Sequence, residues 1–562
     1  MKILQILPEL NVGGVETGAV DLAKYLIRQG HQAVVISAGG SLVKELESLG
    51  ARHYTLAVNK KSFFNIKAMI PQVTKIIKEE NIDLVHVRSR VPAWIGFFAA
   101  RGANKPFITT CHGYYAKHFF SRAMGWGKLI ICPSEIIAQH MIEDFGAPHE
   151  RIRLIPRGVD IEKFQFISPD QKISNIFNIG IIGRITPIKG HTYFLKATAR
   201  VVRQFNRPKI KIWIVGDAPD KHQEYKEEIR MMVRRLGLEH CTEFLGTQRD
   251  IPTVLSHLNL LVMPSTTHEA FGRVIVEAGV SGVPVIATAV GGIKDIVEHE
   301  KTGLLVAPGD SEGLSQEIIR LVKDQELAVK LAQNAYKKAV ENFNARLMAE
   351  RTIEVYKEAI SNFKLLVIKF ISLGDAILSS ASLRQLRLKF PAPGYKIKVL
   401  TSRQVKDVFK NCPYIDGFIT YDYKDRDRGI AGLTRVAGHL RKENFDMVLD
   451  FQNNRASHLL SWLAMIPARY GYDNHKLGFL LNHRIKDLGQ PLDPVAHQFR
   501  ILNMLQVGLD NPYLEMWPSA QDEEKIEDFL KKQWLSEEEL LIGINIGASS
   551  RWQTKVWPKE HF

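Results

Sequence analysis

Short β-branched runs alternate with amphipathic stretches along most of this chain, and the alternation comes in three rounds. The run KILQILP (2–8) is followed by a glycine turn and by ETGAVDLAKYLIRQG (16–30), whose apolar positions recur at helical spacing. HQAVVISA (31–38), KELESLG (44–50), VTKIIKEENIDLVHVRS (73–89) and FITTCHG (107–113) continue the series. Strands and helices in this order predict a largely parallel sheet covered by helices. A second round begins at FNIGIIGRI (177–185) and runs through KIKIWIVGD, TEFLGT, NLLVMPS, VPVIAT and GLLVAP to Pro308. After Asp310 the pattern turns helical through residue 362, a segment able to close a two-domain unit by packing across both halves.

The third round restarts at FKLLVIKF (363–370), with a glycine turn and the helix-like AILSSASLRQLRLKF (376–390). KIKVLTS, DGFITYD, FDMVLDFQ and ARYGYD extend it, and this strand series is expected to end near Pro491–Pro494. LLIGINIGASSRWQTKVWPKEHF (540–562) supplies one strand and one glycine loop. That is too little to bury a sheet face, so it either packs on another domain or, the preferred reading, is the front of a further, truncated domain.

Composition narrows the class. The 562 residues exceed one core at about 100–200 residues per domain. Hydrophobic residues at 45% and charged ones at 24% fit a folded globular chain and exclude a fibrous or disordered one. The net charge of +15 favours anionic partners without naming them. Its basic residues are dispersed and accompany no reader motif, which argues against nucleic acid. Cys111, Cys132, Cys241 and Cys412 show neither disulfide nor metal spacing and read as reduced thiols of a cytoplasmic chain. The opening MKILQILPEL is broken by Pro8 and Glu9, unlike a signal peptide, and no run approaches the roughly 18 apolar residues of a spanning helix.

Candidate chemistry sits where strands are expected to end. In NVGGVE, Gly13 and Gly14 either admit a phosphate to backbone N–H groups or form a tight turn. In GRITPIKG (183–190), Arg184 and Lys189 either clamp a diphosphate or form a solvated charged turn. HEAFGRVIVEAG (268–279) carries Glu269 before a helix and Glu277 within it. Inside an apolar helix Glu277 requires a partner or solvent. His112 in TTCHGYY reads as a hydrogen-bonded cap or a catalyst, and Asp375 in VIKFISLGDAIL as a helix N-cap or a base facing a cleft.

Together these motifs, with GGIKDIVEHEKTGLLVAPGD (291–310), resemble a retaining glycosyltransferase of family 4 over residues 1–362. The resemblance implies a GT-B architecture, two Rossmann-like domains facing one cleft. It implies that Arg184 and Lys189 hold the donor diphosphate, that Glu277 binds ribose, and that Glu269 and His112 lie near the transferred sugar. Asp295 stands where such proteins more often carry Glu. No metal is implied, and this module contains no D-x-D element; the donor is a nucleotide-diphosphate sugar, UDP-, GDP- or ADP-linked.

Residues 363–562 resemble the inverting heptosyltransferases of family 9, through KFISLGD (369–375), DFQ (450–452) and GASSRWQTKVWP (547–558). That likeness implies Asp375 as catalytic base, Lys369 as an acceptor or loop contact, and Lys555, with Thr554, at the donor phosphate. The expected whole is an α/β chain of tandem GT-B modules, the second truncated. Its divisions are 1–167 and 168–345, a crossing helix at 346–362, a third domain at 363–533 and the start of a fourth at 534–562. The partners implied are a nucleotide sugar and a saccharide or lipid-linked glycan acceptor such as the lipopolysaccharide core. Basic and aromatic residues in KHFFSRAMGWGKL (117–129) leave open either a peripheral contact with an anionic membrane at its cytoplasmic face or a domain-covering helix. The rival readings are a GT-B sugar-nucleotide epimerase and a non-catalytic glycan-binding scaffold.

Overall fold

The computed structural model describes residues 1–533 except 12, 173, 206–208, 371 and 488–491. Near-continuous apolar runs become strands buried on both faces, as in β1 (Lys2–Ile6) and β4 (Leu84–Val87). With β2 (Gln32–Ser37), β3 (Arg52–Thr55), β5 (Phe107–Thr110), β6 (Ile130–Cys132) and β7 (Ile152–Leu154) they form a parallel sheet of order β3-β2-β1-β4-β5-β6-β7. β8 (Ile176–Ile182), β9 (Lys209–Val215), β10 (Thr242–Gly246), β11 (Leu260–Met263), β12 (Val285–Thr288) and β13 (Leu304–Val306) form a second, ordered β10-β9-β8-β11-β12-β13. β14 (Phe363–Ile368), β15 (Tyr395–Thr401), β16 (Gly417–Thr420), β17 (Met447–Asp450), β18 (Ala468–Asp473) and β19 (His483–Lys486) form the third, ordered β16-β15-β14-β17-β18-β19. Each sheet reverses its strand order beside its first strand, and a crevice for ligands opens there at the carboxyl ends of the strands.

The helix Ala345–Ser361 returns to the first sheet, burying Ala345, Ala349, Ile353 and Tyr356 with Leu22, Leu26 and Ile3. Tyr356 shares a hydrogen bond of 2.8 Å with His86, whose other ring nitrogen meets Thr110 Oγ1 at 2.6 Å, so this buried histidine is a satisfied core residue. Only Asn362 separates that helix from β14.

The third sheet's domain attaches to the first through the amino ends of their strands. Lys128, just before β6, pairs with Asp446, just before β17, at 2.8 Å. Arg151, just before β7, donates to the carbonyls of Arg441 and Lys442 at the end of the helix Gly429–Glu443. The two carboxyl edges therefore lie on the far sides of this joint, so fusion tethers the modules without giving them a shared cleft.

One local expectation changes and two details are added. The glycine turn after β14 is a short helix, Leu373–Ile377, capped by Ser372; the left-handed backbone there belongs to Ser372 (φ 71°), and Asp375 lies inside the helix, not at its cap. Residues Phe119–Gly125 form a 3-10 helix, in which Ser121, Ala123 and Met124 are buried. The chain past Pro494 still belongs to the third sheet, because the helix Pro494–Asn503 packs Val495, Phe499 and Leu502 into its core. Thr554 and Lys555 lie outside the described residues, as does the expected domain start at 534–562.

Candidate active site

The first two sheets bring their carboxyl ends together around one cationic cleft. On one side the helix Gly14–Arg28 follows the loop that leaves the carboxyl end of β1, so its free N–H groups and positive dipole end face the crevice. Gly13 is the N-cap in extended conformation, and a side chain on Gly14 would come within 3.1 Å of Arg157 Nη1. Arg88 follows β4 and is held by Gln5, its Nε donating to Oε1 at 2.9 Å. His112 follows β5, its Nε2 3.4 Å from Arg88 Nη1, and Arg157 donates to its carbonyl at 3.2 Å. Burial, then the charges of Arg157, Arg88 and the neighbouring His86, hold the His112 imidazole well below its usual range. It is therefore neutral at physiological pH, with its Nδ1 buried and unbonded among the described residues. Burial pushes Arg157 down to about 10, which leaves it charged.

On the other side Arg184 is exposed at the end of β8. Its charge reaches Glu16 in the first turn of the facing helix; burial raises the Glu16 carboxyl, while Arg157 and Arg184 oppose the shift. Lys189 and Glu269 pair, Nζ to Oε2, at 2.7 Å, and Ser265 Oγ donates to the same carboxylate oxygen. Gly190 makes the turn possible. Its φ of 71° and the 1.8 Å that a Cβ would leave to the Pro264 carbonyl both demand glycine.

Glu277 finds the partner it required in Arg273, one turn earlier on the helix Arg273–Val280, whose Nε donates to Oε1 at 2.9 Å. The other end of that guanidinium crosses the cleft to Asp21, Nη2 to Oδ2 at 2.9 Å. Ser134 Oγ donating to the Ala270 carbonyl at 2.6 Å is a second crossing. A third joins the Glu135 N–H to Asp295 at 3.3 Å. Tyr114 stacks on His140 at 3.8 Å and leans toward His268 across the mouth. The structure thus brings Gly13, Gly14, His112, Arg184, Lys189, Glu269 and Glu277 to one place. Sequence reasoning missed Glu16, Asp21, Arg88, Arg157 and Arg273.

His191 opens the helix that follows Lys189 and is fully buried; burial, then the charge of Lys189, lowers it to about 4, against a smaller opposing contact with the Thr186 backbone. Its folded value lies below its unfolded one, so the unfolded chain binds the extra proton between pH 6.5 and about 4. Stability from the neutral ring is present above that window and lost as pH falls through it, to an extent on the order of 3 kcal/mol. Thermal unfolding scans are expected to show one transition dropping across the window, and the drop to shrink in His191→Leu.

In the third sheet the strand order reverses at β14 and β17; Lys369 directly follows the first and Asp450 ends the second. Lys369 Nζ lies 3.6 Å from Asp375 Oδ2, and Asp375 is 40% exposed in the crevice. Asp450 is fully buried; its Oδ1 accepts from the N–H groups of Gln452 and Asn453, and its Oδ2 is 3.4 Å from His458 Nε2. Burial pushes its carboxyl up against the pull of His458.

Two Rossmann-like domains closing on one cleft, with paired cations facing a helix N-terminus, define a GT-B protein. The chain belongs to the glycosyltransferases. Residues 12–163 match Glycosyltransferase Family 4 and 163–338 match Glycosyl transferases group 1, while 433–562 match Glycosyltransferase family 9 (heptosyltransferase). A solved glycosyltransferase of Rickettsia africae is 31% identical, with a TM-score of 0.57 over 64% of this chain and 98% of its own. The Anabaena protein HepE, solved with UDP and glucose, is 28% identical, with a TM-score of 0.56 over 64% and 99%. An Escherichia coli UDP-Gal:α-D-GlcNAc-diphosphoundecaprenol α-1,3-galactosyltransferase is 26% identical over 55% of this chain and 83% of its length.

Proposed function

We propose that residues 1–362 transfer a sugar from a nucleoside-diphosphate donor to a hydroxyl of a lipid-linked saccharide, such as the lipopolysaccharide core, with retained anomeric configuration. The observation that carries this is the cleft itself, where Arg184 and Lys189 face the helix start at Gly13–Gly14. As the bond from the anomeric carbon to the diphosphate breaks, the charge on the leaving oxygens is met by preorganised cations and N–H groups. The acceptor oxygen bonds to the same face of the sugar, and its proton passes to the departing phosphate. Glu277, held by Arg273, accepts the ribose hydroxyls; Glu269 and neutral His112 flank the transferred sugar. The donor chemistry of the Anabaena protein and the acceptor named for the E. coli relative support this reading.

Calorimetric titration with UDP, GDP and ADP is its test. One of the three is expected to bind; a folded chain that binds none would overturn the transferase reading. In the third domain we assign Asp375 as the base of a second, inverting transfer, its carboxylate set in the crevice beside Lys369; loss of that transfer in Asp375→Asn, measured in a chain that carries a complete second module, is the check. Among the described residues no helix is long and apolar enough to cross a membrane. We assign the contact with an anionic membrane to exposed Lys117, Phe119 and Arg122. Sedimentation with anionic vesicles is expected to fall in Phe119→Ser, and unchanged sedimentation would count against it.

A further inference from the structure

Far from both crevices, a solvent-open cavity of about 400 Å³ lies at the joint between the first and third sheets. Three arginines reach it from separate elements. Arg101 lies in the last turn of the helix Arg90–Gly102 of the first sheet's domain, Arg441 in the last turn of the helix Gly429–Glu443, and Arg469 near the start of β18. In a parallel α/β fold the carboxyl end of a helix lies beside the amino ends of the strands, so all three sit on the edges opposite the candidate active sites.

Among the described residues the three guanidiniums have no counter-ion. Among the described residues no carboxylate forms an ion pair with any of them; Arg101 and Arg469 both donate to the Ile466 carbonyl, at 3.2 and 2.6 Å, and Arg441 donates to that of Leu463. Arg469 Nε is taken by the Leu480 carbonyl. Peptide oxygens satisfy single N–H groups but neutralise nothing, and one nitrogen or more of each guanidinium stays unbonded within the described residues. Burial, then repulsion from Arg469 and Arg441, lowers Arg101 to about 9. At that value Arg101 is still charged at neutral pH. Three uncompensated forks held beside one another by the packing of two domains is an arrangement that an anion relieves.

We propose that this cavity binds a phosphate or diphosphate group and that the bound anion clamps the two modules together. A carboxylate offers one charge and two oxygens to three forks, whereas a phosphate ester or diphosphate offers about two charges or more and enough oxygens for all of them. Most of the remaining wall is apolar, with Phe98, Trp462 and Met465 beside the polar Asn482, and Trp462 is about half exposed. It suits a phosphate carrying an apolar or stacking substituent, from either a soluble phosphate ester or a lipid-linked diphosphate.

Phenylglyoxal modification of the full chain, mapped arginine by arginine by mass spectrometry, tests this separately from any binding in the donor cleft. Inorganic diphosphate is expected to slow modification of Arg101, Arg441 and Arg469 together. Arg441→Gln, which removes only one exposed contact, is expected to raise the concentration needed to protect Arg101 and Arg469 about tenfold, the loss of one charge-assisted contact. Should that variant misfold by circular dichroism, protection in the unaltered chain decides alone. No protection at the three positions, or protection indifferent to Arg441→Gln in a folded protein, overturns the proposal. Farnesyl diphosphate protecting at much lower concentration than inorganic diphosphate supports the lipid-linked source; equal potency supports the soluble one.

Discussion

The Lys189→Ala variant is expected to lose about 10²–10³-fold in turnover for sugar transfer, the usual consequence of removing one preorganised group that meets charge developing in the transition state. Lys189 is held 2.7 Å from Glu269 before any donor arrives, so part of its orientation is settled in advance. The pair also sets a competition, because a diphosphate must draw the ammonium away from the carboxylate or share it. Glu269→Gln removes that competitor. It is expected to leave nucleotide binding intact or tighter while lowering transfer, whereas Lys189→Ala lowers both. Nucleotide affinity by calorimetry and turnover by product assay separate the two effects. A Lys189→Ala enzyme with unaltered turnover would remove Lys189 from the chemistry, and equal loss of nucleotide affinity in both variants would show that the ion pair only braces the loop.

The residues that gather at the cleft differ in how far the sequence announces them. Arg184 and His112 sit just past strand ends, and Lys189 and Glu269 lie in the loops that follow β8 and β11; the period of the apolar runs places those strands well. Their convergence follows from two sheets built on the same strand order. Arg157 and Arg88 carry no comparable local signal, since each matters only through what the opposite loop brings to it: Arg157 through the His112 carbonyl, Arg88 through Gln5 and the His112 ring. Arg273 did leave a trace, because it precedes Glu277 by one helical turn on an otherwise apolar helix. Its second bond, to Asp21 in another domain, has no local trace at all. Asp375 shows the limit of turn chemistry, as the glycine before it suggests a turn whose left-handed residue is Ser372. The joint at the amino edges was invisible for the same reason as Asp21. Lys128, Arg101 and Arg151 look like ordinary surface cations until the partner's carbonyls and Asp446 cover them.

Arg273→Met is expected to produce the largest change in the stability of the closed form. The side chain is 10% exposed and binds Glu277 on its own helix and Asp21, 1% exposed, across the cleft. Burial already raises the Asp21 carboxyl, and Arg273 is the main force opposing that shift. Asp21 Oδ1 has no hydrogen bond among the described residues, and Lys163 reaches it only at 3.9 Å. Methionine keeps the bulk and removes the charge, stranding a buried carboxylate at a cost of about 3–5 kcal/mol if the domains stay shut. Because the bond lies between domains, the chain has a cheaper response: it opens the cleft and hydrates Asp21. The expected result is therefore a larger radius of gyration by small-angle scattering and a lower unfolding temperature, together with a raised KM for the donor. Adding Asp21→Asn to Arg273→Met removes the stranded charge and is expected to recover most of the lost stability, while Glu277 remains without its tether and KM stays high. If the two substitutions instead destabilise additively, Asp21 and Arg273 are not coupled, and the guanidinium serves Glu277 alone.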